Sequence, residues 1–179
     1  MITAEKDTVT FVAKDGREVT IRPAEPRDAR EITTAVEEII KAGEFIQKDA
    51  PNTVEEEQKF IESVPKQGHM YVVAEVEGEV VGIARVLRGE IRMKRHSGLF
   101  RTWLVSKVQG MGIGKQLMDY TLKWCKENDM HKLSLTVFAS NEVAYKLYEK
   151  VGFKTEGVMK EQAYINEEYV DEIYMSVFF

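Results

Sequence analysis

"VQGMGIGKQL", residues 108–117, sets Gly110, Gly112 and Gly114 at alternate positions, with Lys115 and an amphipathic run directly behind them. The stretch before it, "GLFRTWLV", reads as a strand, and "KQLMDYTLKWCKEND" after it carries Leu117, Met118, Leu122 and Cys125 at helical spacing. A strand, a glycine turn and a helix opening at about Gly112 leave several backbone N–H groups without intrahelical partners. Those donors, with the helix dipole, attract an anion such as a pyrophosphate. Glycine lets a ligand approach the backbone and lets the chain take positive φ. A tight turn with no ligand is the plainer alternative.

Two phosphate-binding patterns fail by spacing. A P-loop ending at Gly114-Lys115 would begin at Gln109 and finish at Gln116, where Gly and Ser or Thr are required. The dinucleotide fingerprint fits Gly110 and Gly112 but meets Lys115 at its third glycine.

Outward from the loop, residues 8–22 read as a hairpin turning at Asp15-Gly16. "EPRDAREITTAVEEIIKAGEF" reads as a helix with Pro26 in its first turn and Ile32, Val36, Ile39 and Ile40 on one face. "NTVEEEQKFIESV" is a second helix capped at Asn52 or Thr53. "MYVVAEVEGEVVGIARVLRG" is a hairpin folded at Glu77-Gly78. "KLSLTVF" alternates, with Leu133, Leu135 and Val137 on one face, and "NEVAYKLYEKVG" is a short helix stopped by Gly152. The tail reads as two strands joined near Asn166. The order predicts an α+β fold with a central mixed, mostly antiparallel sheet flanked by helices, because a doubly wound fold would alternate strand and helix from the start.

The chain has 179 residues, 44% apolar and 31% charged, with a net charge of -5, which suits one domain spanning residues 1–179. The acidic balance argues against a nucleic-acid partner, and Arg92, Lys94 and Arg95 form only a short basic cluster. Cys125 stands alone, which excludes an intrachain disulfide and fits a reducing compartment. No apolar run approaches the roughly 20 residues that span a bilayer, and residues 1–11 lack the features of a signal peptide. A cytoplasmic protein with no membrane partner is the expectation. His69, His96 and His131 form no metal-binding pair. Tyr164, Tyr169, Tyr174, Phe178 and Phe179 offer an edge for a homodimer, with a core or covered edge as the plainer account.

Residues 109–114 match Gln/Arg-x-x-Gly-x-Gly/Ala, and "NEVAYKLYEKVGF" matches Asn-x-x-Ala-x-x-Leu-Tyr-x-x-x-Gly-Phe at Asn141, Ala144, Leu147, Tyr148, Gly152 and Phe153. With one helix and one strand between the two elements, the chain resembles the GNAT superfamily of N-acetyltransferases. The match is strongest over residues 98–153, the implied CoA-binding core. Within the superfamily, the pattern looks most like the branch of ribosomal-protein and small-molecule acetyltransferases.

The resemblance implies a GNAT-like acyltransferase fold in which acetyl-CoA, the co-substrate, lies between two splayed parallel strands. It implies that Leu104 and Val105 pair with the pantetheine arm, and that Gln109, Gly110, Met111, Gly112, Ile113, Gly114 and Lys115 hold the pyrophosphate. Asn141 then contacts the pantetheine, caps its helix, or does both. Tyr148 falls where the family often places the general acid for the departing thiolate, or it packs on the core face of its helix. The implied reaction is direct attack on the thioester by a primary amine of a small molecule or of a peptide N-terminus.

The family's glutamate position falls at Leu99, with Arg101 and Trp103 nearby, none of them a base. Glu44, His96 or water are the alternatives. If Arg101 faces the acceptor groove it disfavours a polyamine, and the sequence does not say which way it faces. The missing carboxylate leaves a second reading open, an acyl-CoA-binding regulatory module without catalysis.

Overall fold

The computed structural model describes residues 7–43 and 46–179. The strands are β1 (Val9–Val12), β2 (Glu18–Pro23), β3 (Met70–Val76), β4 (Glu79–Arg88), β5 (Ser97–Leu104), β6 (Lys132–Phe138), β7 (Lys154–Ile165) and β8 (Glu168–Phe178). The helices are α1 (Ala29–Lys41), α2 (Val54–Gln67), α3 (Ile113–Glu127) and α4 (Glu142–Lys150). Strand order is β1-β2-β3-β4-β5-β6-β8-β7. β5 runs parallel to β6, while β1/β2, β2/β3, β3/β4, β6/β8 and β7/β8 are antiparallel. The mixed sheet and element order are those expected from the sequence. Among the described residues, no helix is long and apolar enough to cross a membrane.

Local chemistry sets the punctuation. Glu77 and Gly78 both take positive φ (52° and 82°), as do Asn166 and Glu167 (51° and 64°), the two-residue turn geometry that matches strand twist. At the head of α2 the cap is Thr53: its hydroxyl accepts the Glu56 N–H at 3.1 Å and the Glu56 carboxylate accepts the Thr53 N–H at 2.8 Å. α2 does not stop at Val64, where the sequence reading ended it. It runs through Pro65 to Gln67 and closes on Gly68 at φ 69°. A proline in the last turn forfeits a single bond, so the helix survives it there. Pro26 opens a 3₁₀ turn, Pro26–Asp28, rather than α1 itself. The basic cluster sits on another exposed 3₁₀ turn, Arg92–Lys94.

The chain divides into two compact units: Met1–Leu87 with Arg101–Trp124, and Arg88–Phe100 with Cys125–Phe179. In the first, Ala29, Ile32 and Val36 of α1 and Ile61 and Val64 of α2 form one buried cluster with Tyr71, Val73, Val80 and Ile83 of the sheet, and Trp103 packs against it. Leu104, the next residue on β5, points the other way: its side chain fills the space over Gly82 and lies against Gly114. In the second unit, three residue pairs from Ser97–Lys132 to Leu99–Ser134 hold β5 to β6. Leu133, Leu135 and Val137 of β6 are buried, as is Met175 of β8.

Candidate active site

The glycine stretch lies in the first unit and forms a compact turn between β5 and α3. A 3₁₀ turn, Ser106–Val108, follows Val105. Gly110 and Gly112 then take φ 74° and 87°, which other residues adopt only under strain. Gly114 has no such φ; it is a residue of the first turn of α3, with Leu104 Cδ1 3.5 Å from where its Cβ would stand. The third glycine is therefore required neither by turn geometry nor by packing, since a Cβ would meet Leu104 at an ordinary distance. The first amide of this region to find a protein acceptor is that of Gln116, which donates to Gly112 O at 3.3 Å. Among the described residues, the amides of residues 110–115 have none. A row of backbone donors at a helix N-terminus is an anion-binding concavity. The N-terminal hairpin braces it, since the Lys14 N–H donates to Met111 O at 3.2 Å. The Lys14 side chain lies beside Gly112, its Cε 4.0 Å from the position of a Cβ there. The Gln109 side chain donates to Leu104 O at 3.3 Å. Lys115 pairs with Asp119 at 2.6 Å along the exposed face of α3.

The Tyr148 segment lies in the second unit. Asn141 caps α4, its side chain accepting the Ala144 N–H at 3.3 Å. Tyr148 is 9% exposed. Its ring meets Phe100 edge-on at 6.4 Å and Phe153 at 5.9 Å, so it packs in the core as a tyrosine at helical spacing should. Gly152 ends the helix at φ 106°.

The base candidates divide. Leu99 sits in the β5/β6 pairing opposite Ser134. His96 is exposed, and its carbonyl accepts the His131 and Lys132 N–H groups at 2.8 and 3.1 Å, a strand-end role. Glu44 lies outside the described residues. Cys125 is buried and its thiol is pushed up to about 12 by that burial, so it offers no nucleophile near neutral pH.

Sequence reasoning missed a polar cluster in the first unit. Glu57 of α2 is 4% exposed. One carboxylate oxygen accepts the Tyr71 hydroxyl at 2.6 Å and the other accepts Asn52 Nδ2 at 2.7 Å. Lys48 Nζ donates to Asn52 Oδ1 at 2.8 Å. Burial, followed by the Glu57 charge, pushes the Tyr71 phenol well above its ordinary value. The signal was present: Val54, Glu57, Ile61 and Val64 share one helical stripe, and a carboxylate on an apolar stripe needs a buried partner.

A strand feeding a glycine-rich donor row at a helix N-terminus defines a site for a phosphate-bearing ligand. A family model described as an acetyltransferase (GNAT) domain matches residues 21–174, and the chain belongs to that family. It is an N-acetyltransferase with acetyl-CoA as co-substrate. The L-amino acid N-acetyltransferase AaaT of Escherichia coli strain K12 is 32% identical over 112 residues, 62% of this chain and 69% of that protein. The spermidine N(1)-acetyltransferase of the same strain is 26% identical over 164 residues, 89% of this chain and 86% of that protein. A crystal structure of a GNAT-family acetyltransferase from Streptococcus pneumoniae superposes with a TM-score of 0.85 at 26% identity, covering 90% of this chain and 99% of that one. The relatives are named as enzymes, and nothing among them favours the non-catalytic module.

Proposed function

We propose that this protein acetylates a primary amine of a small molecule or peptide, with the donor row at residues 110–115 holding the pyrophosphate of acetyl-CoA. The observation that carries this reading is that row itself: consecutive amides without protein acceptors, two glycines at positive φ, and the opening of α3. Lys14 adds a cation at its edge. Leu104 and Val105, at the end of β5, offer backbone groups to the pantetheine arm, and Asn141 contacts that arm besides capping α4. The neutral amine attacks the thioester carbonyl, the C–N bond forms and the C–S bond breaks, and sulfur leaves as thiolate. Tyr148 donates a hydrogen bond from its hydroxyl to that sulfur as the negative charge develops, which stabilises the departing thiolate. Glu44 takes the proton lost by the amine.

Acetyl-CoA at about 100 times its dissociation constant should stabilise the protein by about 2.7 kcal/mol, and ATP should not, as a thermal melt would show. Tyr148→Phe is expected to lower kcat about 100-fold with the KM for acetyl-CoA unchanged; an unchanged kcat would reduce Tyr148 to packing. Glu44→Gln should lower kcat/KM about 100-fold near neutral pH and much less in alkaline buffer, where the amine is already neutral. A loss that does not shrink with rising pH would remove Glu44 as the base.

A further inference from the structure

The sheet face beneath α1 and α2 carries a buried guanidinium nitrogen, Arg85 Nε, without a partner among the described residues. Tyr71 of β3 pairs across with Arg85 of β4, as Val73 does with Ile83. Two hydrogen bonds fix the next register: Val105 N–H to Val81 O, and Gly89 N–H to Ser97 O. Both place β4 and β5 residues in one antiparallel alignment, in which Arg101 stands opposite Arg85 and Trp103 opposite Ile83. Ile83 and Trp103 belong to the α1/α2 cluster, so alternation puts Arg85 and Arg101 on that same face. Arg101 thus lies on the α1/α2 face of the sheet.

Arg85 is positioned and underused. Its guanidinium carbon lies 5.5 Å from the centre of the Phe60 ring. Among the described residues, its buried Nε has no hydrogen-bond partner. The nearby Glu57 carboxylate is engaged by Tyr71 and Asn52, one on each oxygen, and does not reach that Nε. Lys48 adds a third cation, held to Asn52. Burial, followed by the charge of Arg85, pushes its ammonium below the ordinary value. A planar guanidinium fork set over an aromatic ring suits a carboxylate, and like charges side by side repel an ammonium-rich ligand.

We propose that Arg85, with Arg101 beside it, binds a carboxylate of the acceptor, so that the protein acetylates amines bearing a nearby carboxylate, such as free α-amino acids, in preference to polyamines. The inference rests on the reading above, that the thioester arm runs along the end of β5: Arg101 lies three residues before Leu104, about 10 Å along the strand.

The test compares leucine, leucinamide and spermidine as acceptors. Leucinamide carries the weaker base and so more free amine near neutral pH; a preference for leucine therefore cannot come from protonation. Wild-type kcat/KM should favour leucine over leucinamide by about tenfold or more, the size of one charge-assisted pair, with spermidine poorest. Arg85→Gln should collapse that ratio through the leucine KM, and Arg85→Lys should restore part of it. A wild-type ratio at or below one, or a ratio that survives Arg85→Gln, overturns the proposal. Should Arg85→Gln fail to fold, wild-type melts with CoA present decide: leucine should raise the transition and leucinamide should not, and equal shifts overturn it. If acetyl-CoA itself neither stabilises the wild type nor yields free CoA with any amine, the CoA-loop reading fails and takes this inference with it. Intact acetyl-CoA binding with no carboxylate preference sinks the inference alone.

Discussion

Gly112→Asp should bind acetyl-CoA about 100-fold more weakly than wild type, a loss near 2.7 kcal/mol, while still folding. The fold tolerates the change because a Cβ at Gly112 meets only Lys14 Cε at 4.0 Å. Its φ of 87° costs an L-residue about 1–2 kcal/mol, and aspartate is among the residues that bear positive φ best. Binding suffers because the carboxylate enters the donor row at residues 110–115 and competes with a dianionic pyrophosphate for the same N–H groups and the same helix end. Gly114→Ala is the internal control for folding. It sits in the first turn of α3 with ordinary packing distance to Leu104, so the apo protein should gain about 0.5–1 kcal/mol. Calorimetric titration of both variants checks the pair, and a Gly112→Asp affinity within about threefold of wild type would remove the loop from the cofactor site.

The parts of this molecule that were legible in its sequence are those encoded by neighbours in the chain. Turns announce themselves where positive φ is required, as at Glu77-Gly78 and near Asn166, and Thr53 and Glu56 cap α2 through a local exchange of hydrogen bonds. The loop and the Tyr148 segment were readable for the same reason. What escaped was set by pairing between distant segments. Lys14 comes to the loop only because the first hairpin donates to Met111 O. Arg85 and Arg101 become neighbours through the register of β4 on β5, and nothing local fixes that register or the face it exposes. Pro65 misled because the cost of a proline depends on how much helix follows it. Tyr148 shows another limit: packing on Phe100 and Phe153 and donation to a thiolate ask for the same residue at the same spacing.

Arg22→Ala should destabilise the protein by about 3 kcal/mol, lowering Tm by about 6–12 °C for a chain of this size. The Arg22 guanidinium grips both oxygens of Asp28 at 2.8 and 2.9 Å and reaches Glu75 at 2.8 Å. The side chains of Arg22 and Asp28 are 14% and 4% exposed, so removing the arginine strands a buried carboxylate that keeps only the Glu25 N–H at 2.8 Å. Glu75, 29% exposed, retains water, which argues for the lower end of the range for a broken buried pair. The pH dependence follows from the carboxylate. Burial pulls the Asp28 carboxyl upward, but the Arg22 and Glu25 hydrogen bonds outweigh it and hold the group below its ordinary 3.8. A depressed folded value means stabilisation that is complete above the unfolded value and fades as pH falls through the folded one. Without Arg22 only the Glu25 N–H and the Arg27 charge oppose the burial, and the variant takes up its proton at higher pH than wild type. The gap between the two proteins should therefore be widest near neutral pH and close as acid protonates Asp28. Arg22→Lys should fall between them, since an ammonium keeps the charge and loses the fork. A gap that stays constant from neutral pH into the acid range would mean that Arg22 stabilises β2 and β3 by packing alone, and that the Asp28 carboxylate is not what ties the start of α1 to the sheet.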